Sequence, residues 1–259
     1  MAFTGQLAVI TGGGSGMGQA WARQLAKGGA TVAMLDVSSE GMAETASGFD
    51  TVHRFEVDIT DSDTVAGAFK TIESSLGPIE RVINAAAIMP FGRLVDEDPR
   101  VTNKVMSVNY GGLANVATAV LPPMLERGYG DFISFSSMTG IIPGLLMGAY
   151  ASSKAAVQHY SEILYHENRD SGLRFCCVCP PAVATPLWRQ AEATVVPKLP
   201  AKGETGERVG PGGKQPNPLI SRMSQSSPLH DFSATRKVDL GLKRSATSDH
   251  DMSSLTAMW

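Results

Sequence analysis

Length, composition and charge place this chain among globular proteins of one sizeable domain or two small ones. It has 259 residues, 43% of them hydrophobic, and a formal net charge of −3. That charge gives no signature of nucleic-acid or anionic-membrane binding, and no apolar run is long enough to span a bilayer. The first residues lack the basic and apolar segments of a signal peptide, which predicts a cytoplasmic protein with no nucleic-acid or membrane partner.

Strand and helix patterns alternate through the first 180 residues. The predicted strands are 7–11, 31–36, 52–57, 81–84, 132–136 and 173–178, and the predicted helices are 16–27, 62–75, 99–127 and 150–170. Such alternation favours a parallel sheet with helices on both faces. We therefore predict the α/β class, with a doubly wound, Rossmann-like sheet.

The composition changes near Lys198. Residues 198–259 contain nine Lys or Arg against six Asp or Glu, together with six Gly, five Pro and nine Ser. Such a proportion is typical of segments that do not form a packed core. We predict one Rossmann-like domain over residues 1–197 and a poorly ordered, low-complexity tail over residues 198–259.

A glycine-rich turn follows the first predicted strand and opens the first predicted helix. Glycine allows a tight bend and lets a pyrophosphate approach backbone N–H groups, while the helix N-terminus adds partial positive charge. A flexible linker has a similar composition, but the flanking strand and helix favour a dinucleotide site. The predicted contacts are Gly12, Gly14, Ser15, Gly16, Met17 and Gly18.

Asp36 ends the second predicted strand, 18 residues after Gly18. A carboxylate there can accept hydrogen bonds from the ribose hydroxyls of adenosine and repels a 2′-phosphate. No Lys or Arg occurs from Ala30 to Val52, and Ser15 is neutral as well. These residues predict NAD as the cofactor rather than NADP, although a strand-end turn residue would look the same.

Tyr150 and Lys154 are four residues apart at the start of a predicted helix, which places them on one helix face. A phenol titrates near pH 10, and lowering its pKa by about 2–3 units requires roughly 3–4 kcal/mol. A neighbouring ammonium and a positively charged nicotinamide can supply that energy in a dry cleft. The pair predicts Tyr150 as the acid/base and Lys154 as its partner, which would also hold the nicotinamide ribose; a solvated helix face has the same spacing.

The T-G-x-x-x-G-x-G turn and the Y-x-x-x-K pair resemble the short-chain dehydrogenase/reductase family over residues 5–190. The resemblance implies hydride transfer between NAD and a secondary alcohol or ketone. It also implies that Ser137 hydrogen-bonds the substrate oxygen and that Asn109 anchors a water beside the lysine. Further cofactor contacts that it implies are Val37, Asp58, Ile59, Asn84, Ala85, Ala86, Pro180, Val183 and Thr185.

The chain departs from this family after the sixth predicted strand. Pro181 stands where the family usually has glycine, and neither a further helix nor a seventh strand is recognisable after residue 200. We expect the last strand to be missing or replaced, through a divergent extension or a shift of reading frame near residues 203–215. A family-like C-terminus in another frame of the gene would support the shift, and none in any frame would discard it.

Assembly and substrate class follow from the same comparison. Without a last strand the sixth strand would be an exposed edge. The family often uses the last strand and helix at one interface and the helices near 99–127 and 150–170 at another, so the resemblance implies a homodimer through those two helices, with a homotetramer as the alternative. Trp188 and the stretch Val195-Val196-Pro197 suggest a lid for an apolar or aromatic alcohol or carbonyl substrate. The clustered cysteines 176, 177 and 179 are interpreted as buried strand residues, and no metal site is predicted.

Two other functions are compatible with these motifs. One is a family member that binds its cofactor but is catalytically impaired, because its C-terminal part is atypical. The other is a nucleotide-sugar epimerase or dehydratase, which shares the Y-x-x-x-K pair. Its glycine turn usually reads T-G-x-x-G-x-x-G, and its chain is longer, so an NAD-dependent dehydrogenase is the preferred interpretation.

Overall fold

A computed structural model describes Phe3 and residues 7–188 of the chain. Within this part, six parallel strands form one sheet in the order β3-β2-β1-β4-β5-β6. The strands are β1 Leu7–Thr11, β2 Thr31–Asp36, β3 Val52–Glu56, β4 Ile79–Asn84, β5 Gly130–Phe135 and β6 Leu173–Val178. The order reverses between β1 and β4, as in doubly wound nucleotide-binding sheets. The predicted fold class is confirmed.

Helices cover both faces of this sheet. They are α1 Gly16–Lys27, α2 Ser39–Ala46, α3 Ser62–Leu76, α4 Pro99–Met106, α5 Gly112–Arg127 and α6 Gly148–Asn168. Every residue of β1 is buried, and alternate side chains enter opposite cores: Val9 packs with α3 and α5 residues, whereas Ile10 packs with α1 and α2 residues. Burial on both faces explains the continuous apolar sequence of β1.

The observed helices differ from the predicted ones in two places. The predicted helix 99–127 is interrupted by a π-helical turn, Ser107–Gly111, between α4 and α5. Helix α2 was not predicted, because its eight residues include Gly41 and follow serines that resemble a loop. The Ser38 side chain caps it by accepting a hydrogen bond from the Gly41 N–H, and buried Met42 and Thr45 hold it against the sheet.

The predictions for the C-terminal part lie outside the described residues. They include the tail over residues 198–259, the domain boundary at residue 197 and the loss of the last strand. Within the described part, β6 pairs with β5. None of the described helices is both long enough and apolar enough to cross a membrane.

Candidate active site

The glycine loop, residues 12–18, forms a tight bend between β1 and α1. Gly12 and Gly16 have φ angles of +70° and +54°, which disfavour residues with a side chain. A Cβ on Gly12 would lie 2.8 Å from Ala86 of the neighbouring loop, and one on Gly18 would overlap the Gly12 carbonyl oxygen. The loop is therefore close-packed backbone, open only to a ligand that accepts hydrogen bonds from N–H groups.

The N-terminus of α1 suits an anion. Ser15 occupies the N-cap position, but its side chain makes no capping hydrogen bond, and the first turn contains no acidic residue. The first N–H groups of a helix have no partners within the helix. Together with the bare glycine loop, these donors fit the pyrophosphate of a dinucleotide.

Helix α2 packs against the glycine loop and supports it. The Thr45 hydroxyl lies 2.9 Å from the Gly13 carbonyl oxygen, and the Gln19 side chain donates to that hydroxyl at 3.0 Å. A Cβ on Gly41 would lie 2.5 Å from the Gly14 carbonyl oxygen. Sequence reasoning missed these supports because no motif marks them.

Asp36 lies against the glycine loop at the end of β2. Its Oδ2 accepts a hydrogen bond from the Gly14 N–H and its Oδ1 accepts one from the Ser38 N–H, each at 2.9 Å. The residue is only partly buried. These bonds fix a carboxylate beside the loop where an adenosine ribose would enter.

The predicted adenine side consists of an exposed apolar residue and a capped turn. Val37 is 67% exposed, whereas Ile59 is buried. Asp58 accepts hydrogen bonds from the backbone and side chain of Thr60, which lower the pKa of its carboxyl group. Asn115 of α5 donates to the Ile59 carbonyl oxygen at 2.9 Å; this support was not predicted.

Asn84 ties the strands together at the point where the sheet order reverses. Its side-chain oxygen accepts a hydrogen bond from the Thr11 hydroxyl at 2.9 Å. That hydroxyl in turn accepts one from the Ala86 N–H at 3.2 Å. Ala85 and Ala86 are partly buried and lie where Gly12 approaches most closely. The Asn84 side chain thus sets the distance between the glycine loop and the loop after β4.

Tyr150, Lys154 and Ser137 lie together at the carboxyl end of β5. The Lys154 ammonium nitrogen is 5.6 Å from the centre of the Tyr150 ring and donates to the Phe135 carbonyl oxygen at 2.7 Å. Lys154 is only 3% exposed. The Ser137 side chain lies beside the Tyr150 phenol, where it opposes a rise in the pKa of that phenol. The topology brings the hydroxyl, the phenol and the cation into one cleft.

Burial dominates the electrostatics of this cleft. It raises the pKa of Tyr150, and the Ser137 side chain opposes that rise. It also lowers the pKa of Lys154 to about 8, against the influence of Cys177 and Cys179. The rise at Tyr150 differs from the lowering expected from the sequence, because the Lys154 ammonium is directed at a backbone carbonyl while the phenol is desolvated.

Asn109 lies in the π-helical turn and is fully buried. Its side chain accepts a hydrogen bond from the Ile88 N–H at 2.8 Å and donates to the Ile88 carbonyl oxygen and to Ser153 Oγ. Ser153 Oγ donates to the Tyr150 carbonyl oxygen at 2.7 Å. The Asn109 side chain therefore joins α6 to the loop after β4, and its role as an anchor for water stays a prediction.

A second buried serine holds α6 from the other side. Ser136 Oγ donates to the Lys154 carbonyl oxygen at 2.7 Å. A Cβ on Gly140 would lie 2.8 Å from the same carbonyl carbon. Sequence reasoning did not identify Ser136 or Ser153, although both lie beside predicted site residues in the sequence.

The segment after β6 returns to the glycine loop. The Pro180 carbonyl oxygen accepts a hydrogen bond from the Met138 N–H at 3.0 Å, and the Val183 carbonyl oxygen accepts one from the Thr185 N–H at 2.8 Å. A Cβ on Gly16 would lie 3.5 Å from Thr185 Cβ. Thr185 thus lies over the loop predicted to hold the cofactor.

The Cys177 and Cys179 thiols lie close enough to Lys154 to influence its pKa. Cys177 and Cys179 are buried and Cys176 is partly buried. A hydrogen bond between Cys177 and Cys179 lowers the pKa of Cys177 to about 7 and raises that of Cys179. Among the described residues, no group of three or more His, Cys, Asp or Glu could hold a metal ion.

Comparison with known proteins agrees with this geometry. The sequence model of the short chain dehydrogenase family matches residues 6–195. The chain belongs to the short chain dehydrogenase family. The matched residues contain the whole observed sheet and the grouping of Ser137, Tyr150 and Lys154.

Two curated relatives illustrate the range of this family. The chain is 30% identical to 2-(S)-hydroxypropyl-CoM dehydrogenase 3 of Xanthobacter autotrophicus over 185 residues, covering 70% of this chain and 72% of that protein. It is 32% identical to the 2-dehydro-3-deoxy-L-rhamnonate dehydrogenase (NAD(+)) of a Sphingomonas strain over 202 residues, covering 77% and 81%. Both names describe dehydrogenases, so the chain is similar to enzymes that oxidise or reduce small molecules.

Two solved structures share the fold. Levodione reductase superposes with a TM-score of 0.71 at 29% identity, covering 76% of this chain and 79% of that one. NAD+-bound xylitol dehydrogenase superposes with a TM-score of 0.66 at 25% identity, covering 70% and 72%. The relatives named here differ in their substrates, so the family assignment leaves the substrate of this chain to be argued from its own residues.

Proposed function

We propose that this protein is an NAD(H)-dependent oxidoreductase that transfers hydride between the nicotinamide and the carbon of a secondary alcohol or ketone. The observation that carries the proposal is the grouping of Ser137, Tyr150 and Lys154 at the carboxyl end of β5. Parallel sheets of this kind bind ligands at that edge, beside the point where the strand order reverses.

Tyr150 moves the proton at the substrate oxygen. In reduction its phenol donates to the carbonyl oxygen, and in oxidation its phenolate accepts the hydroxyl proton. The raised pKa keeps the phenol protonated at neutral pH, which is the form needed for reduction. The Ser137 hydroxyl lies beside Tyr150 and can hold the same substrate oxygen as charge develops on it.

Lys154 and Asn109 support this proton transfer. The Lys154 ammonium, 5.6 Å from the phenol ring centre, stabilises a phenolate electrostatically. Asn109 is a positioning residue, since its bonds to Ile88 and Ser153 fix the start of α6. When bound, NAD+ supplies the hydride acceptor and a positive charge beside the phenol.

The cofactor site fits a dinucleotide without a 2′-phosphate. The glycine loop and the uncapped α1 N-terminus supply donors for a pyrophosphate. Asp36 places a carboxylate beside Gly14, which favours free ribose hydroxyls and repels a phosphate. We expect NAD to bind more tightly than NADP, and Asp36→Ala to reduce that preference at least about tenfold by removing the repulsion.

The decisive experiment compares the wild-type protein with Tyr150→Phe. Reduction of NAD+ is followed by absorbance with a panel of secondary alcohols, and oxidation of NADH with the matching ketones. We expect Tyr150→Phe to lose about 10²–10⁴-fold in kcat, with NADH binding by calorimetry unchanged. Full turnover in the variant would refute the mechanism, and cofactor binding by the wild-type protein without turnover on any substrate would favour a catalytically impaired member.

Assembly and location stay predictions of the sequence. We propose a cytoplasmic homodimer through the helices at 99–127 and 150–170, with a homotetramer as the alternative. Sedimentation of the purified chain separates these states, and a monomer at micromolar concentration would contradict both.

A further inference from the structure

An apolar wall surrounds the buried Tyr150. It contains buried Met89, Phe91 and Met147, with partly buried Leu187 and Trp188 packed against them. These residues come from the loop after β4, the loop before α6 and the segment after β6. Three separate loops thus bring thioether, aromatic and aliphatic groups to the residue proposed to transfer the proton.

The wall is held in shape by specific contacts. The Phe91 and Trp188 rings meet edge to face, with centroids 5.5 Å apart and an interplanar angle of 86°. The Gly92 N–H donates to the Leu146 carbonyl oxygen at 2.9 Å, and Gly92 forms a bridge with Met147. Leu146 has a φ angle of +63°, a left-handed conformation that is strained in a residue with a side chain.

Among the wall residues only Tyr150 and Trp188 carry a polar group, while Asp98, Arg100 and Lys104 line a pocket that includes Met89. The Tyr150 phenol and the Ser137 hydroxyl lie beside each other, whereas the five other wall residues carry no charge and no strong hydrogen-bond donor except the Trp188 indole N–H. The neighbouring loops add exposed apolar side chains at Leu94, Ile142 and Leu145. A carboxylate or several hydroxyls placed against these groups would lose water without gaining partners.

From this arrangement we infer that the substrate carries an alicyclic or aromatic ring next to the reacting carbon, and that Phe91 and Trp188 determine this preference. The inference rests on the proposed oxidoreductase function and deepens it. The hydroxyl or carbonyl oxygen binds at Ser137 and Tyr150, and the ring packs against the edge-to-face pair and the two methionines. Aromatic rings and thioethers pack well on such a ring.

The test measures kcat/KM for NAD+-dependent oxidation of 1-phenylethanol and cyclohexanol, with xylitol and lactate as polar comparisons. We expect the ring alcohols to exceed lactate and xylitol by at least about 100-fold, because an unpartnered polar group is strongly rejected. A preference for lactate or xylitol would overturn the inference while leaving the oxidoreductase function intact.

Variants of Phe91 and Trp188 test whether these two residues determine the preference for a ring-bearing substrate. Phe91→Ala and Trp188→Ala should each raise KM for 1-phenylethanol about tenfold or more, with much smaller changes for propan-2-ol, which is too small to reach the pair. Phe91→Leu should restore part of the loss. Tyr129→Ala, which removes an exposed aromatic side chain just before β5, is the matched control and should change neither KM. Equal losses for both alcohols would overturn the assignment to Phe91 and Trp188.

Binding without turnover separates this inference from the proposed chemistry. Acetophenone and pyruvate are titrated by calorimetry into Tyr150→Phe saturated with NADH. Tighter binding of acetophenone, by at least about tenfold, supports the ring preference even where the wild-type protein shows no turnover. Equal or tighter binding of pyruvate would refute the ring preference whether or not the wild-type protein is active.

Discussion

Around β1 and β2 the candidate site is built mainly from backbone, whereas around β5 it is built from buried side chains. In the first region, Gly12 and Gly18 leave room for close approach, and the α1 N-terminus supplies donors. In the second, Asn109, Ser153 and Lys154 are buried and hydrogen-bonded. The first region therefore keeps its shape only while no side chain fills the space beside its backbone. The second keeps its shape through hydrogen bonds between buried polar side chains.

This difference has energetic consequences. An added methyl group in a backbone cradle meets atoms that cannot move, so even the smallest substitution is expensive. Removing one buried polar side chain leaves specific partners unsatisfied, and the cost scales with the number of bonds lost. The following variants test whether the two regions respond in these two ways.

The largest effect is expected for Gly18→Ala in the glycine loop. Its Cβ would overlap the Gly12 carbonyl oxygen, so we expect a loss of more than about 3 kcal/mol in unfolding free energy. Denaturant unfolding measures it, and calorimetry should show no NAD binding. Gly67→Ala is the matched control, since nothing lies within 4 Å of its Cβ and α3 should gain about 0.5–1 kcal/mol. Similar changes in unfolding free energy for the two variants would contradict the view that close backbone packing defines the glycine loop.

A smaller effect is expected for Asn109→Ala in the second region. It removes three hydrogen bonds and leaves both backbone groups of Ile88 unsatisfied, so we expect a loss of about 2–4 kcal/mol. Catalysis should fall through kcat, because Ser153 and the start of α6 lose their support. The measurement is denaturant unfolding together with the split between kcat and KM.

Asn115→Ala is the corresponding variant at the predicted cofactor site, to be compared with Asn109→Ala. Asn115 makes one observed side-chain hydrogen bond, to the Ile59 carbonyl oxygen, so we expect a loss of about 1 kcal/mol. The KM for NAD should rise while kcat is retained, because Ile59 lies at the predicted adenine contact. A fall in kcat as large as that of Asn109→Ala would show that the two regions are not separable.

Lys154→Met tests how much the buried Lys154 ammonium lowers the stability of the folded protein, measured as a function of pH. Because the folded-state pKa is lowered from 10.5 to about 8, the unfolded chain binds a proton between these values that the folded chain does not. The unfolding free energy of the wild-type protein therefore rises as the pH increases from about 8 to 10.5. Below about pH 8 the buried ammonium lowers it by a constant amount. We expect the variant to be more stable at pH 7 by on the order of 2 kcal/mol, with this advantage shrinking towards pH 10, and to be nearly inactive.

Unfolding by denaturant at pH 7, 8.5 and 10 measures the trend for Lys154→Met. Lys70→Met, at an exposed position of α3, is the matched control and should show no such pH dependence relative to the wild-type protein. A stability difference for Lys154→Met that stays constant over the three pH values would contradict a charge buried at neutral pH.

Much of the fold was predictable because local patterns agree with the tertiary structure. The six strands were predicted within two residues at each end, since buried parallel strands are continuously apolar. The π-helical turn at Ser107–Gly111 was not, because its sequence resembles ordinary helix and only the bonds of Asn109 distinguish it. Helix α2 was missed because tertiary contacts of Met42 and Thr45, rather than propensity, stabilise it.

The sequence by itself determined where the six strands lie along the chain, the glycine loop and the spacing of Tyr150 and Lys154, because these follow from residue type and short-range periodicity. Only the tertiary structure decided that Asn109 binds Ile88, that the Lys154 ammonium is directed at Phe135 and that burial raises the pKa of Tyr150. Those properties depend on how residues far apart in the chain exclude water from one another, and no local pattern encodes that exclusion.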